Sequence, residues 1–289
     1  MIDSSAFSIE ATGTPFEVLA DGLDHPEGIA VGPDGRLYAG GEHGQIYVIE
    51  ADGAVRELGT TGGSLLGIAL DAAGRVYACD AVRREVVRFD PRDESLTVYS
   101  GGVPERPLTL PNALAFAPDG ALYITDSGNQ GEDDGSVARI GPDGQTTLFS
   151  LEVPCYPNGC CVAADGTALY VVESYLPGIS SIAIDPDGRP GAVSRLAITP
   201  AVPDGCALDS VGNLYVSCYR PDRIYRITPG GEVSVFADDP RGITLNAPTN
   251  LAFFGEGLRS LAAANVGEDF VSVAHDVTPG LRLFYPDLP

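Results

Sequence analysis

A chain of 289 residues that is 44% hydrophobic can build a substantial core as one large domain or two smaller ones. Its 40 acidic residues outnumber 17 basic ones, every one an arginine, and the formal charge of −23 repels nucleic acid and anionic membranes. The absence of lysine excludes Schiff-base chemistry and a P-loop. The first 25 residues lack the basic start and apolar run of a signal peptide, and no apolar stretch is long enough to span a bilayer, so the expectation is a cytoplasmic protein with neither nucleic acid nor membrane as partner.

From the N-terminus, FEVLADG at 16–22 is an alternating strand that resembles EVSVFAD at 232–238. HPEGIAVGPDGRLY at 25–38 then reads as a short apolar strand, a GPDG turn and a second strand, but a carboxylate, Glu27, opens it. The phrase returns as LLGIALDAAGRVYACD from Leu65, LPNALAFAPDGALYITD from Leu110 and YPNGCCVAADGTALYVVE from Tyr156. VPDGCALDSVGNLYVSC from Val202 and APTNLAFFGEGLRSLAAAN from Ala247 complete the series. Aligned turns put Glu27, Leu66, Asn112, Asn158, Asp204 and Thr249 at one position, separated by 39, 46, 46, 46 and 45 residues. Each unit continues with a third strand such as QIYVIE or RIYRIT and a fourth such as EVSVFA.

Four antiparallel strands repeated at about 40 to 50 residues are the signature of a β-propeller blade. The expectation is therefore an all-β, six-bladed propeller, one domain over 1–289, with the segment 16–22 supplying the outermost strand of the sixth blade and closing the ring. The six cysteines include the adjacent Cys160 and Cys161, and four lie in apolar runs, which does not suit a disulfide scaffold. They read as buried small hydrophobes, with a soft-metal cluster at Cys155, Cys160 and Cys161 as the lesser alternative.

The first strand of each blade lines the channel, so the six aligned residues converge at one end of the axis, here called the top. The second strands return there, ending at Gly41, Asp80, Asp126, Glu173, Cys218 and Asn265. The inner ring thus holds four strong oxygen donors, Glu27, Asn112, Asn158 and Asp204. Two carboxylates side by side are costly unless a cation lies between them, and two carboxylates plus two amide carbonyls form a hard set suited to Ca²⁺ or Mg²⁺. The alternative is a ring of polar caps that bind water. Asp126 and Glu173 either orient ligands or satisfy backbone donors at the strand ends.

On HPEG at 25–28, PNALAFAPDGALYITD at 111–126, YPNG at 156–159, VPDGCALDSVGNLYVS at 202–217 and PGLRLFYP at 279–286, the chain resembles the SMP-30/gluconolactonase/LRE family of six-bladed propellers, and more distantly paraoxonases and diisopropylfluorophosphatase. The resemblance implies one divalent metal (Ca²⁺ foremost, with Mg²⁺, Mn²⁺ or Zn²⁺ as alternatives) on Glu27, Asn112, Asn158 and Asp204. It also implies a lactone or ester hydrolase in which Asp204 is both ligand and base or nucleophile. Sugar-lactonase members carry an arginine two residues before the first ligand asparagine, where this chain has Leu110. Leu66 in the ring, with Tyr156, Tyr175 and Tyr219 placed near the top, therefore points to a small-molecule substrate less polar than a sugar lactone.

Asp80, Asp126, Glu173 and Thr249 complete the surroundings expected of the site, and His43 in GEHG is a second candidate proton carrier. Arg106 and Arg241, on top loops, are candidate clamps for an anionic group. No HExxH, G-x-S-x-G or CxxC occurs, and a three-histidine zinc site needs His25, His43 and His275 together. Two other readings share the fold: an isomerase, dehydratase or cyclase using the same metal, and a non-catalytic propeller scaffold.

Overall fold

The computed structural model describes residues 12–289, so the first part of the expected single domain, 1–11, lies outside the described residues. Six four-stranded antiparallel sheets follow one another around an axis. Blade 1 runs Ile29–Val31, Leu37–Gly40, Gln45–Ile49 and Val55–Thr60. Blade 2 runs Leu65–Leu70, Val76–Asp80, Glu85–Asp90 and Ser95–Ser100, and blade 3 Pro111–Phe116, Leu122–Asp126, Ser136–Ile140 and Thr146–Ser150. Blade 4 comprises Pro157–Val162, Ala168–Glu173, Gly178–Ile184 and Pro190–Ile198, and blade 5 Val202–Leu208, Leu214–Arg220, Arg223–Ile227 and Val233–Asp238. Blade 6 takes Pro248–Phe254, Ser260–Asn265 and Val271–Ala274 from the C-terminal part of the chain.

The fourth strand of blade 6 is Glu17–Ala20, paired antiparallel with Val271–Ala274 through Glu17 opposite Val273. Thr12–Gly13 adds a further strand to the outer edge of blade 5. The N-terminal segment therefore covers the edges of two neighbouring blades, which a ring assembled from an open chain otherwise leaves unpaired.

Burial follows the radial order. First and second strands are almost wholly buried, whereas outer strands such as Ser95–Ser100 alternate between exposed and half-buried positions. Between blades the sheet faces interdigitate. Tyr77 of blade 2 meets Phe116 of blade 3 edge to face at 5.2 Å, and Tyr215 of blade 5 meets Phe253 of blade 6 at 5.3 Å. The aromatic of each LY or VY pair is thus a wedge between blades. The GPDG-type turns lie at the other end of the axis, where Gly35 and Gly120 both adopt φ 83°, a left-handed conformation that a side chain disfavours.

That lower end is closed by residues 279–289, which cross beneath the ring. Leu281 N–H donates to Leu208 O (2.8 Å), the Tyr285 hydroxyl to Val31 O (2.9 Å), and the Arg75 guanidinium to the carbonyls of Leu288 and Pro289 (2.6 and 2.8 Å). Phe284 packs against the clusters of blades 2 to 4. Above the tail the channel encloses about 110 Å³, bounded by Ile68, Leu114, Cys206, Leu251 and Phe284. Truncation after Thr278 is expected to cost roughly 3 kcal/mol of apolar burial and hydrogen bonding, read as a Tm lowered by about 6–12 °C with cation uptake at the top preserved.

Among the described residues no helix is long and apolar enough to cross a membrane.

Candidate metal centre

The repeat places its anchor residue by a bulge. In blade 3, Pro111 faces Asp126 but Leu114 faces Ile124, so one extra residue is fitted into the first strand; blade 4 does the same between Pro157 and Cys160, and blade 5 between Pro203 and Cys206. Asn112, Asn158 and Asp204 sit in those bulges, released from the ladder and re-aimed. The next residue must be small because the first strands crowd at the axis. A Cβ on Gly159 would lie 2.6 Å from Gly205 Cα, and one on Gly205 would lie 2.5 Å from Thr249 O. The sequence pattern of an anchor residue followed by glycine or alanine is thus a packing requirement.

Asn112, Asn158 and Asp204 are 3%, 5% and 8% exposed, and Glu27 is half-buried at the same mouth. Among the described residues, five buried side-chain polar atoms have no hydrogen-bond partner, and three of them are Asn112 Oδ1, Asn158 Oδ1 and Asp204 Oδ1. Buried polar atoms are ordinarily paired, and here three unpaired oxygens come from three successive blades of one ring. A hard divalent cation satisfies such a set, so the residues fit the group.

The electrostatics agree. Burial pushes the Glu27 carboxyl well above its usual range, and the charges of Asp204 and Glu42 push it further. Burial likewise raises Asp204 to about 7, against a hydrogen bond from Asn158 that lowers it. Two carboxylates held in mutual view, Asp204 buried and Glu27 half-buried, repel one another in their charged forms until a cation joins them.

The amide nitrogens, unlike the amide oxygens, already have partners. Asn112 Nδ2 donates to Ser127 Oγ (3.0 Å), which donates to Pro157 O (2.8 Å). Asn158 Nδ2 donates to Ser174 Oγ (3.3 Å) and to Asp204 Oδ2 (3.2 Å), and Ser174 Oγ donates to Pro203 O (2.7 Å). On the other side of the ring Thr249 Oγ1 and Asn250 Nδ2 both donate to Glu27 O (2.8 and 3.0 Å), fastening blade 6 to the anchor backbone of blade 1. The sequence reading missed Ser127, Ser174 and Asn250. The signal was the DS at 126–127 and ES at 173–174, one residue past each second strand.

The outer ring does different work. Asp80 accepts from Thr61 Oγ1 (2.7 Å) and Ser64 N–H (3.2 Å), and Asp126 accepts from the N–H groups of Thr109 and Leu110. Glu173 accepts from Ser180 Oγ (2.5 Å) and pairs with Arg195 (3.3 Å). These carboxylates hold top loops; none of their hydrogen bonds reaches an inner-ring side chain. Thr249 spends its hydroxyl on a backbone carbonyl, and Leu66 is a half-buried apolar neighbour of the ring.

Tyr156 and Tyr175 stack at 4.6 Å with 29° between their planes. Burial, Tyr175 and then the charges of Glu27 and Asp204 raise the Tyr156 hydroxyl to about 12. Tyr219 is farther out, 44% exposed and covered by the Arg220 guanidinium. His43 is on the blade 1 rim, 78% exposed, its Nδ1 2.6 Å from Asp24 Oδ2; its hydrogen bonds do not include Asp204. Arg106 is tied to Ser136 Oγ and Asp134 O, so it does not serve as a free clamp, and Arg241 is an exposed loop residue.

A second cluster lies on the rim, where Asp24, His25 and Glu42 offer atoms within 4.8 Å of one another. Its members already pair among themselves: burial works to raise Asp24, yet hydrogen bonds from His43, His25 and Gln45 hold it at about 2. The axial set has buried oxygens without a partner, whereas His25 and Glu42 of the rim set are exposed to water, which favours the axis. His275 joins neither group, since it contacts Ser260 and Glu17 on blade 6. Cys161 and Cys206 approach within 3.5 Å across a blade interface, while Cys160 and Cys161 are strand neighbours that point to opposite faces, against a three-thiol metal site.

The family profile described as SMP-30/Gluconolactonase/LRE-like region matches residues 42–264, and one for the strictosidine synthase-like N-terminal region matches 16–49. A gluconolactonase of Zymomonas mobilis is 28% identical over 233 residues, which is 73% of this chain and 61% of that protein. Two solved structures superpose over nearly the whole chain. A gluconolactonase of Xanthomonas campestris gives a TM-score of 0.78 at 23% identity, covering 91% of this chain and 89% of that one. A calcium-binding protein, regucalcin, of Agrobacterium tumefaciens gives 0.78 at 17% identity over 96% and 98%. With the six-bladed ring and a profile match over most of its length, the chain belongs to the SMP-30/gluconolactonase/LRE-like family.

Proposed function

We propose that this protein is a divalent-cation-dependent hydrolase that opens a lactone or related ester at the top of the channel. The observation that carries the proposal is the convergence of three unpaired buried oxygens, from Asn112, Asn158 and Asp204, on a ring completed by Glu27. The gluconolactonases among its relatives support the reaction class, and the all-oxygen donor set together with a calcium-binding relative supports Ca²⁺.

Glu27, Asn112, Asn158 and Asp204 would hold the cation, and it would supply Lewis acidity at the substrate carbonyl. The chain's own contribution starts with Asp204. Its Oδ2 is held by Asn158 Nδ2 and its Oδ1 is the oxygen offered to the cation, so the carboxylate is fixed in orientation, and a lone pair spent on neither partner takes a proton from water or attacks. Glu27 provides the second negative charge. Tyr156 and Tyr175 form a stacked aromatic wall on blade 4, and Leu66 and Leu110, on blades 2 and 3, stand without an arginine where sugar-lactonase members carry one. That lining suits a small-molecule substrate with an apolar or aromatic substituent better than a polyhydroxylated sugar lactone. Neither nucleic acid nor a membrane surface belongs among its partners, given the charge of −23.

The test is a panel of aliphatic, aromatic and sugar lactones assayed with and without chelator, beside elemental analysis of protein purified without chelator. One divalent ion per chain and chelator-sensitive turnover, highest on aromatic or aliphatic lactones, are the expected results. Protein that takes up no calcium, magnesium or manganese removes the proposal.

A further inference from the structure

The ring needs its amides to face one way. An asparagine side chain has a donor edge and an acceptor edge of nearly the same shape, and only the acceptor edge holds a cation. Something must choose between them, at a position where both edges are buried.

The choice is made by a hydroxyl with one proton. Ser127 Oγ lies 2.8 Å from Pro157 O, a group that only accepts, so the serine proton is committed there. What remains on Ser127 Oγ is an acceptor, and the edge of Asn112 that faces it at 3.0 Å must therefore be the NH₂ edge. Oδ1 is turned to the axis by exclusion. The same logic holds one blade on, where Ser174 commits its proton to Pro203 O and accepts from Asn158 Nδ2. Asn158 then uses its other N–H on Asp204 Oδ2. The outcome is three oxygens, one from each side chain, left without a partner.

The sequence shows the same division. At the repeat position that follows Gly41, Asp80, Asp126, Glu173, Cys218 and Asn265 stand Glu42, Ala81, Ser127, Ser174, Tyr219 and Val266. Serine occurs only in the two blades whose anchor is an asparagine. In the blades anchored by Glu27 and Asp204 there is none, and none is needed, because a carboxylate has two acceptor edges and no handedness to set.

We propose that Ser127 and Ser174 are positioning residues that set the polarity of the Asn112 and Asn158 amides toward the axial cation. Each also ties its amide to the backbone just before the next blade's ligand, Pro157 before Asn158 and Pro203 before Asp204, so three ligands in three blades are spaced by one relay. The inference rests on the axial metal reading and specifies which residues make it work.

Two measurements separate the two claims. In metal-free protein, the side-chain NH₂ groups of Asn112 and Asn158, observed by NMR, are expected to exchange slowly with solvent and to speed up selectively at Asn112 in Ser127→Ala and at Asn158 in Ser174→Ala. Calcium titration by calorimetry is expected to show affinity falling about 10–100-fold in each variant, the range typical for loss of an outer partner of a metal ligand. In an Asn112→Asp background, where there is no edge to choose, Ser127→Ala is expected to change affinity less than about threefold. That contrast is not expected of a serine that merely supports the fold. Equal losses in both backgrounds, or amide exchange unaffected by either serine, overturn the relay. Slow, serine-dependent amide exchange in a protein that binds no divalent cation supports the relay and sinks the metal reading instead.

Discussion

Asp204→Asn is expected to lower lactone turnover by about 10³, within the range for loss of a general base, while cation binding weakens but persists. The asparagine keeps an oxygen for the ring and gives up the charge and basicity. Its effect on stability runs the other way. In the metal-free protein Asp204 is 8% exposed, faces Glu27, and is raised by burial to about 7, so removing its charge relieves both desolvation and repulsion. The variant without cation should therefore melt above the wild type without cation at pH 8, and lose that advantage when calcium is added to both. Active sites hold such opposed effects because the arrangement that binds the cation is unfavourable when the cation is absent. Single-turnover and steady-state assays at saturating calcium, with melting curves of both proteins, read the two effects. Full activity in the variant assigns the base elsewhere, and His43 on the blade 1 rim becomes the first residue to substitute.

The second large effect is a pH-dependent stabilisation by calcium. A carboxyl whose folded pKa lies above its unfolded value binds more protons in the native state, so native stability is greatest below the unfolded pKa and falls as pH rises through the folded one. Asp204 is raised by burial from 3.8 to about 7, and burial with the Asp204 and Glu42 charges raises Glu27 as well. The metal-free protein should lose stability between roughly pH 4 and pH 7, by on the order of 4 kcal/mol from Asp204 alone at 1.36 kcal/mol per pKa unit. Calcium competes with the protons, so its stabilising effect should be small at pH 5 and grow to a Tm increase of about 10 °C or more at pH 8. Calorimetric melting with calcium and with chelator, from pH 5 to pH 8, checks the trend. A calcium-induced shift that is the same at both ends shows that the cation binds away from these carboxylates, and the Asp24, His25 and Glu42 cluster on the rim becomes the place to look.

Much of this was legible in the sequence, for reasons that are local. A strand, a turn closed by a left-handed glycine and a second strand require only alternation and a GPDG or DAAG, and six copies at nearly constant spacing specify six blades. Glu27, Asn112, Asn158 and Asp204 fall at one point of that period, so symmetry about an axis brings them together. Even the closing strand was readable, because FEVLADG repeats the pattern of a fourth strand and finds its place at Glu17–Ala20 in blade 6. The period states which residues converge; it does not state what they touch.

The contacts were decided by tertiary structure, because they join residues that the repeat treats as independent. Asp126 and Glu173 could equally orient ligands or cap strand ends on sequence grounds, and the top loops folding onto them gave them the second role. Arg106 was a free charge until the Asp134 carbonyl and Ser136 closed over it. The tail beneath the channel depends on Arg75 meeting Leu288 and Pro289 more than 200 positions away. The direction of each ligand amide depends on a serine in the same blade and a carbonyl in the next, 30 and 29 residues beyond those serines. A sequence period carries the position of a side chain around the axis, but the orientation of its donor and acceptor edges is set by partners across a blade interface, and those exist only once the ring has closed.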